Sequence, residues 1–175
     1  VAFEKGLMLS FRGGQHVAHA DPVLLERVLR NLVSNAIRYT DDGGVLVGCR
    51  SRNGTLRVQV WDTGIGISEQ ALPRIFDEFF QVHTARPLEA HHRKGLGLGL
   101  SIVKRLCDLM PAPLSVRSVP GRGSVFTLEL PPGKAVRASD TRTSRARCSV
   151  RRVVRARSTP AASRYPVPWS SAWAG

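Results

Sequence analysis

Asn31 and Asn35 stand four residues apart, with Arg38 and Tyr39 one helical turn further on. On a helix that spacing stacks two carboxamides on one face with a guanidinium and a phenol close behind. Asparagine is a weak helix former, so a pair of them inside a helix usually answers to a ligand or to water, and this stretch alone leaves both open. A second segment, Val60-Trp61-Asp62-Thr63-Gly64-Ile65-Gly66-Ile67, delivers a carboxylate to the end of an apolar run and follows it with two glycines. Asp62 could serve a ligand or close an Asx turn. Asp-Thr-Gly is also the signature of proteases with paired aspartates, but that chemistry needs a second such loop or a homodimer, and an all-β fold. A third segment, Arg74-Ile75-Phe76-Asp77-Glu78-Phe79-Phe80, gathers half of the six phenylalanines and is most simply an apolar cluster. A fourth, Lys94-Gly95-Leu96-Gly97-Leu98-Gly99-Leu100, places three alternating glycines at the entry to a helix, where exposed N–H groups and the helix dipole favour phosphate. It matches neither the P-loop pattern nor a strand-led dinucleotide fingerprint.

The elements that must position these residues are clearly punctuated. Asp21-Pro22 is a helix start, with Asp as N-cap and Pro in the first turn. Leu24, Leu25, Val28, Leu29, Leu32, Val33, Ala36 and Ile37 then recur with helical period, leaving Arg27, Asn31, Ser34, Asn35 and Arg38 on the other side. This helix is expected to end near Thr40. Two strands, 45–50 and 56–62, are joined through Asn53-Gly54, a strong hairpin signal. A short helix is expected over 69–76. A longer one should begin within 97–100, run through Leu109 and stop at Pro111 and Pro113. Two last strands, 114–118 and 124–130, turn at Pro120-Gly121-Arg122-Gly123. Three helices and a single Asp-Thr-Gly exclude the protease reading. The pattern predicts an α/β two-layer sandwich, a mixed and largely antiparallel sheet with helices on one face.

Composition narrows the field further. The chain has 175 residues and a net charge of +13, yet residues 1–133 hold 16 Lys/Arg against 12 Asp/Glu, while residues 134–175 hold 10 Lys/Arg and one acid. The basic excess therefore belongs mostly to the last 42 residues, and no nucleic-acid partner is expected for the first part. We expect two regions, 1–132 folded and 133–175 a low-complexity, disordered tail. That tail reads as a solvated extension able to bind polyanions non-specifically, because aromatics do not interleave with its arginines. No apolar run is long enough to span a bilayer, and residues 1–5 lack a signal-peptide pattern and read as the interior of a longer chain. Cys49, Cys107 and Cys148 are odd in number and widely spaced, which points to reduced thiols and a cytoplasmic setting.

Taken in order, the four segments closely resemble the ATP-binding catalytic domain of two-component sensor histidine kinases, a branch of the superfamily that includes gyrase, heat-shock chaperone ATPases and MutL. Asn31 to Thr40 resembles the family's N box, Asp62 to Ile67 its first glycine box, Ile75 to Phe80 its F box and Gly95 to Leu100 its second glycine box. Pro120 to Phe126 fits its closing hairpin. The resemblance covers about residues 1–132 and implies the fold of that superfamily's ATP-binding domains. It further implies ATP and Mg²⁺ as cofactors, with Asn35 as the Mg²⁺ ligand, Asn31 and Arg38 at the phosphate end and Tyr39 near the sugar or base. Asp62 would accept the adenine amino proton, and Gly64, Gly66 and Ile67 would wall the base. Gly95, Leu96, Gly97, Leu98, Gly99 and Leu100 would cradle the triphosphate. Residues 81–94 would form a mobile lid, with Arg93 and Lys94 as further phosphate contacts.

The resemblance also selects a branch. ATP-hydrolysing relatives carry glutamate at the position of Asn31, and an amide cannot act as the base that activates water. Transfer of the γ-phosphate to another nucleophile is therefore expected, with Asn31, Asn35 and Arg38 as the catalytic set. His16, His19, His83, His91 and His92 are each followed by a residue other than Asp or Glu, and none lies on a convincing amphipathic helix, so the phosphoacceptor histidine is expected elsewhere. The implied partners are a histidine-bearing dimerisation domain and a downstream response regulator. Nucleotide binding without transfer is the alternative.

Overall fold

The computed structural model describes residue 2, residues 5–82 and residues 96–133. Arg93, Lys94, Gly95, most of the expected lid and the basic tail lie outside the described residues.

Five strands form one sheet in the order β1-β2-β3-β5-β4: β1 (Met8–Gly13), β2 (Gly44–Arg52), β3 (Thr55–Asp62), β4 (Leu114–Val119) and β5 (Gly123–Leu130). β1 runs parallel to β2 and the other pairs are antiparallel. Two helices, α1 (Pro22–Arg38) and α2 (Gly99–Leu109), pack on one face and on each other. This is the expected two-layer sandwich. The strand β1 is an addition to it: the β1–α1–β2 crossover supplies the parallel pair of a sheet that is otherwise antiparallel.

Local chemistry sets the boundaries. Asp21 caps α1 through Oδ1, which accepts from the N–H of Val23 at 2.8 Å and of Leu24 at 3.0 Å. The helix stops at Arg38, two residues short of expectation. Thr40, fully buried, turns its hydroxyl back to donate to the Ala36 carbonyl at 2.7 Å. Asn53 and Gly54 both have positive φ, 50° and 73°, the turn that matches the twist of a two-residue hairpin. The expected helix over 69–76 is not formed. Only a 3₁₀ turn, Leu72–Arg74, appears, because Pro73 has no N–H for an α-helical bond and the turn closes instead through Arg74 N–H to Ala71 O at 2.9 Å. α2 begins at Gly99 because Gly97, at φ +70°, cannot be helical.

The core lies between sheet and helices. Leu25, Val28, Leu29 and Leu32 of α1 and Val103 and Leu106 of α2 meet Val45, Val47, Val58, Val60, Phe126 and Leu128 of the sheet. Strand residues alternate faces, so Asp62, two beyond Val60 and four beyond Val58, falls on the same helix-facing side where the core ends. Each fully buried aliphatic side chain contributes on the order of 1.5–3 kcal/mol, and together they make the sheet a rigid base for that carboxylate.

Candidate functional site

At the end of β3 the two layers part around an open cleft of about 580 Å³. Its walls include Asn35 from α1 and Tyr39 just beyond its end, Asp62 at the end of β3, Ile65, Gly66 and Ile67 from the loop that follows, Leu100 from α2, and Ser124 and Phe126 from β5. Ala36, Ile75, Phe80, Gln81 and Val82 complete them. The pocket is apolar over most of its surface, with one carboxylate, Asp62, and two carboxamides, Asn35 and Gln81, set into it, the composition of a site for a flat heterocycle with a polar edge.

Asp62 is held from one side. Its Oδ1 accepts the N–H of Gly64 at 2.9 Å and of Ser124 at 3.2 Å, which leaves Oδ2 as the oxygen open to a ligand. Burial lifts its pKa from 3.8 to about 6, although the two backbone donors pull in the opposite direction. A carboxylate in such a place is a costly acceptor that a matching N–H donor relieves.

The loop that follows is shaped by close backbone contacts. A Cβ at Gly64 would lie 2.2 Å from the Tyr39 carbonyl oxygen, and one at Gly66, where φ is +68°, would lie 2.1 Å from that of Val119. Both glycines are thus required by their neighbours. Ile65 N–H donates to the Tyr39 carbonyl at 3.1 Å, and Gly121 N–H donates to the Ile65 carbonyl at 2.7 Å. Ile67 N–H donates to the Ser118 hydroxyl at 2.7 Å. The loop is therefore clamped between the end of α1 and the β4–β5 turn.

The two asparagines meet the start of α2. A Cβ on Gly99 would be 3.4 Å from Asn31 Oδ1 and 3.6 Å from Asn35 Oδ1, so both carboxamides face a bare stretch of backbone. Asn31 Nδ2 donates to the Arg27 carbonyl at 2.9 Å, which turns its oxygen toward α2. Phe79 N–H donates to the Gly97 carbonyl at 3.1 Å, tying the chain just before the cleft's Phe80 to the glycine run that opens α2. Phe79 takes a positive φ of 63° and is 68% exposed. The Arg74 guanidinium sits over the Phe80 ring, 4.6 Å from its centroid, and holds that ring at the rim.

Of the residues singled out from sequence, Asn35, Tyr39, Asp62, Gly66, Ile67 and Leu100 line the cleft. Asn31, Gly64, Gly97 and Gly99 stand directly behind or beside it. Arg38 and Leu98 are not among its lining residues, and Leu96 is 75% exposed, so its side chain walls nothing. Lys94 and Gly95 lie outside the described residues. Ser124, Phe126, Ile75 and Val82 line the cleft without having been named as site residues. Of these, Ser124 was within reach of sequence, since the hairpin pattern around it was recognised while its N–H bond to Asp62 was not.

Two neutral amide oxygens beside an unblocked helix start suit Mg²⁺, which takes few protein ligands and keeps water and phosphate oxygens in the rest of its shell. Among the described residues no cluster of three or more His, Cys, Asp or Glu could hold a metal alone.

Comparison with known proteins gives a consistent result. Residues 20–134 match the family model described as histidine kinase-, DNA gyrase B- and HSP90-like ATPase. Sensor histidine kinase RcsC of Escherichia coli K12 is 42% identical over 113 residues, covering 65% of this chain and 12% of RcsC. Sensor histidine kinase CusS of Escherichia coli O157:H7 is 36% identical over 132 residues, 75% of this chain and 27% of CusS. The chain thus spans a small part of the length of these relatives. Among solved structures, full-length ShkA in complex with AMPPNP superposes with a TM-score of 0.65 at 33% identity, over 78% of this chain and 28% of that one. The nucleotide-free catalytic domain of histidine kinase ThkA gives 0.61 at 28% identity, over 74% and 82%.

Proposed function

This chain belongs to the histidine kinase-, DNA gyrase B- and HSP90-like ATPase family, and from that premise we propose that it binds Mg-ATP in the cleft and donates the γ-phosphate to a histidine on a separate dimerisation domain. The observation that carries the reading is Asp62. Two main-chain N–H groups occupy its Oδ1 and its Oδ2 is left for the cleft, where it accepts the exocyclic N–H of adenine. Guanine presents a carbonyl at that edge and meets a carboxylate with no donor, so the site selects adenine. Ile65, Ile67 and Phe126 sandwich the base, and Tyr39 packs beside the sugar.

The phosphates run from the base toward the start of α2, where Gly97 and Gly99 expose main-chain N–H groups. Asn35, assisted by Asn31, would hold Mg²⁺, which when bound neutralises phosphate charge as transfer proceeds. Arg38 serves the phosphate end from outside the cleft, and Lys94 is a further phosphate contact in this reading. In the transfer the bond between the γ-phosphorus and its bridging oxygen breaks and a bond to the acceptor imidazole nitrogen forms. ADP leaves with the bridging oxygen, and the imidazole N–H gives up its proton. Positioning and charge stabilisation supply the catalysis. Asn31 matters by what it is not, since a carboxamide does not deprotonate water and hydrolysis stays slow.

A response regulator is the downstream recipient in this reading. No helix among the described residues is long and apolar enough to cross a membrane. The test is to mix the purified chain with a helical dimerisation domain and γ-labelled ATP. Acid-labile, base-stable phosphohistidine on the acceptor is expected. Saturable ATP binding with no such product would reduce the function to nucleotide binding alone.

A further inference from the structure

Lys5 is far from the cleft's residues in sequence and is not among its lining residues, yet its contacts lead there. Its Nζ donates to the main-chain carbonyls of Ile37 at 3.1 Å, Arg38 at 3.1 Å and Thr40 at 3.2 Å. It also lies 3.7 Å from the Asp41 carboxylate, and its side chain is only 17% exposed. These acceptors belong to the last turn of α1 and its exit, where carbonyls lack helical partners and the dipole favours a cation. Lysine near a helix end is usually supplied by the helix itself. Here it comes from more than 30 residues away, across a tertiary contact.

Between these acceptors lies Tyr39, whose own carbonyl accepts the Ile65 N–H at 3.1 Å. Gly64 packs against that same carbonyl too closely for any Cβ, and the N–H of Gly64 is one of the two donors to Asp62. An unbroken run of contacts thus connects the Lys5 ammonium, the α1 exit, the Tyr39 carbonyl, the Gly64–Ile65 loop and the Asp62 carboxylate.

We propose that Lys5 is a positioning residue for the nucleotide, holding the exit of α1 so that Tyr39 fixes the loop that aims Asp62. The proposal rests on the adenine-nucleotide reading given above. Without the ammonium the three carbonyls turn to water, the last turn of α1 loosens, and the Tyr39 carbonyl no longer sits at a fixed place for Ile65 and Gly64. The carboxylate then meets the base at a spread of angles.

The test uses the full chain, calorimetric titration with ADP, and amide hydrogen exchange. Lys5→Met keeps the length of the side chain and removes every donor, and is expected to weaken ADP by about five- to thirtyfold. It should also speed exchange of the Ile65 amide while leaving that of Val58, in the middle of β3, unchanged. Lys5→Arg retains several donors and should recover most of the affinity. Leu56→Ala, a core truncation at the opposite end of β3, lowers stability and should leave ADP affinity intact, which separates positioning from general weakening. If Lys5→Met does not fold, Lys5→Gln, whose shorter, uncharged amide cannot reach all three carbonyls, bears the same test. ADP affinity within twofold of the parent in Lys5→Met or Lys5→Gln, or an equal loss in Leu56→Ala, overturns the proposal. Failure of the unsubstituted chain to bind ADP would instead remove the nucleotide reading, while Ile65 exchange would still report on the link to Lys5.

Discussion

The main-chain N–H of Ser124 reaches across the β3–β5 ladder to the same oxygen of Asp62 that Gly64 already holds. A side chain so fixed has one oxygen committed to the fold and one to whatever enters the cleft. In Asp62→Asn the amide oxygen is expected to keep the two backbone donors, which turns the new NH₂ toward the cleft. Donor then faces donor at the adenine edge. ADP affinity is expected to fall by about 1.5–3 kcal/mol, as for loss of a charged hydrogen-bond partner in a buried site. Equal calorimetric affinity of variant and parent would remove Asp62 from the base site.

The elevated pKa of Asp62, about 6, gives this binding a pH dependence. Protonated, Asp62 loses its best acceptor, so affinity for ADP should decline as the pH falls through 6 and hold steady above 7. The free protein behaves in the opposite sense. The folded pKa lies above the unfolded value of 3.8, so the folded state binds the extra proton between these limits. The stability that Asp62 contributes is full below 3.8 and is lost as the pH rises through about 6, on the order of 2–3 kcal/mol in all. Unfolding midpoints of parent and Asp62→Asn measured from pH 4 to 8 should therefore diverge, the variant becoming the more stable toward neutral pH. Parallel curves would contradict the assignment.

Gly66 and Gly54 share a positive φ but not a setting. At Gly54 a Cβ would meet nothing within 4 Å, and at Gly66 it would strike the Val119 carbonyl. Gly54→Ala should cost only about 1 kcal/mol of backbone strain. Gly66→Ala must also push the β4–β5 turn away from the cleft, so it should cost at least twice as much and weaken nucleotide as well. Urea denaturation of the two variants compares them directly, and equal losses would show that the turn yields freely.

Asn35→Ala separates ligand chemistry from folding. Alanine is the better helix former by roughly half a kcal/mol, so the variant should be as stable as the parent or slightly more so. Magnesium-dependent enhancement of nucleotide binding should disappear. Titration of ATP with and without Mg²⁺ decides the point, and an unchanged magnesium effect would move the ion to other residues.

Much of this was legible in sequence, for reasons that differ by residue. The periodicity of α1 put Asn31 and Asn35 on one face, and Asn53-Gly54 fixed the hairpin that sets the register of Asp62. The strand β1 escaped because Met8-Leu9-Ser10-Phe11 is short, lies at the edge and pairs in parallel with a distant strand, so no turn announces it. The expected helix over 69–76 shrinks to a 3₁₀ turn although Leu72, Ile75 and Phe76 have the spacing of a helical stripe. Pro73 overrides it. Lys5 was invisible, since a cation gains meaning as a helix cap only when tertiary structure brings the helix end to it. The contact between Gly99 and the two asparagines likewise joins positions more than 60 residues apart, and no local pattern reports it.

The hydrogen bond from Phe79 N–H to the Gly97 carbonyl pins together two positions eighteen residues apart in sequence. Phe80, which lines the cleft, and Gly99, which opens α2, each lie within two residues of that bond. A change at either anchor is therefore felt on both sides of the opening, so the aromatic rim and the helix entry must be inherited as a pair.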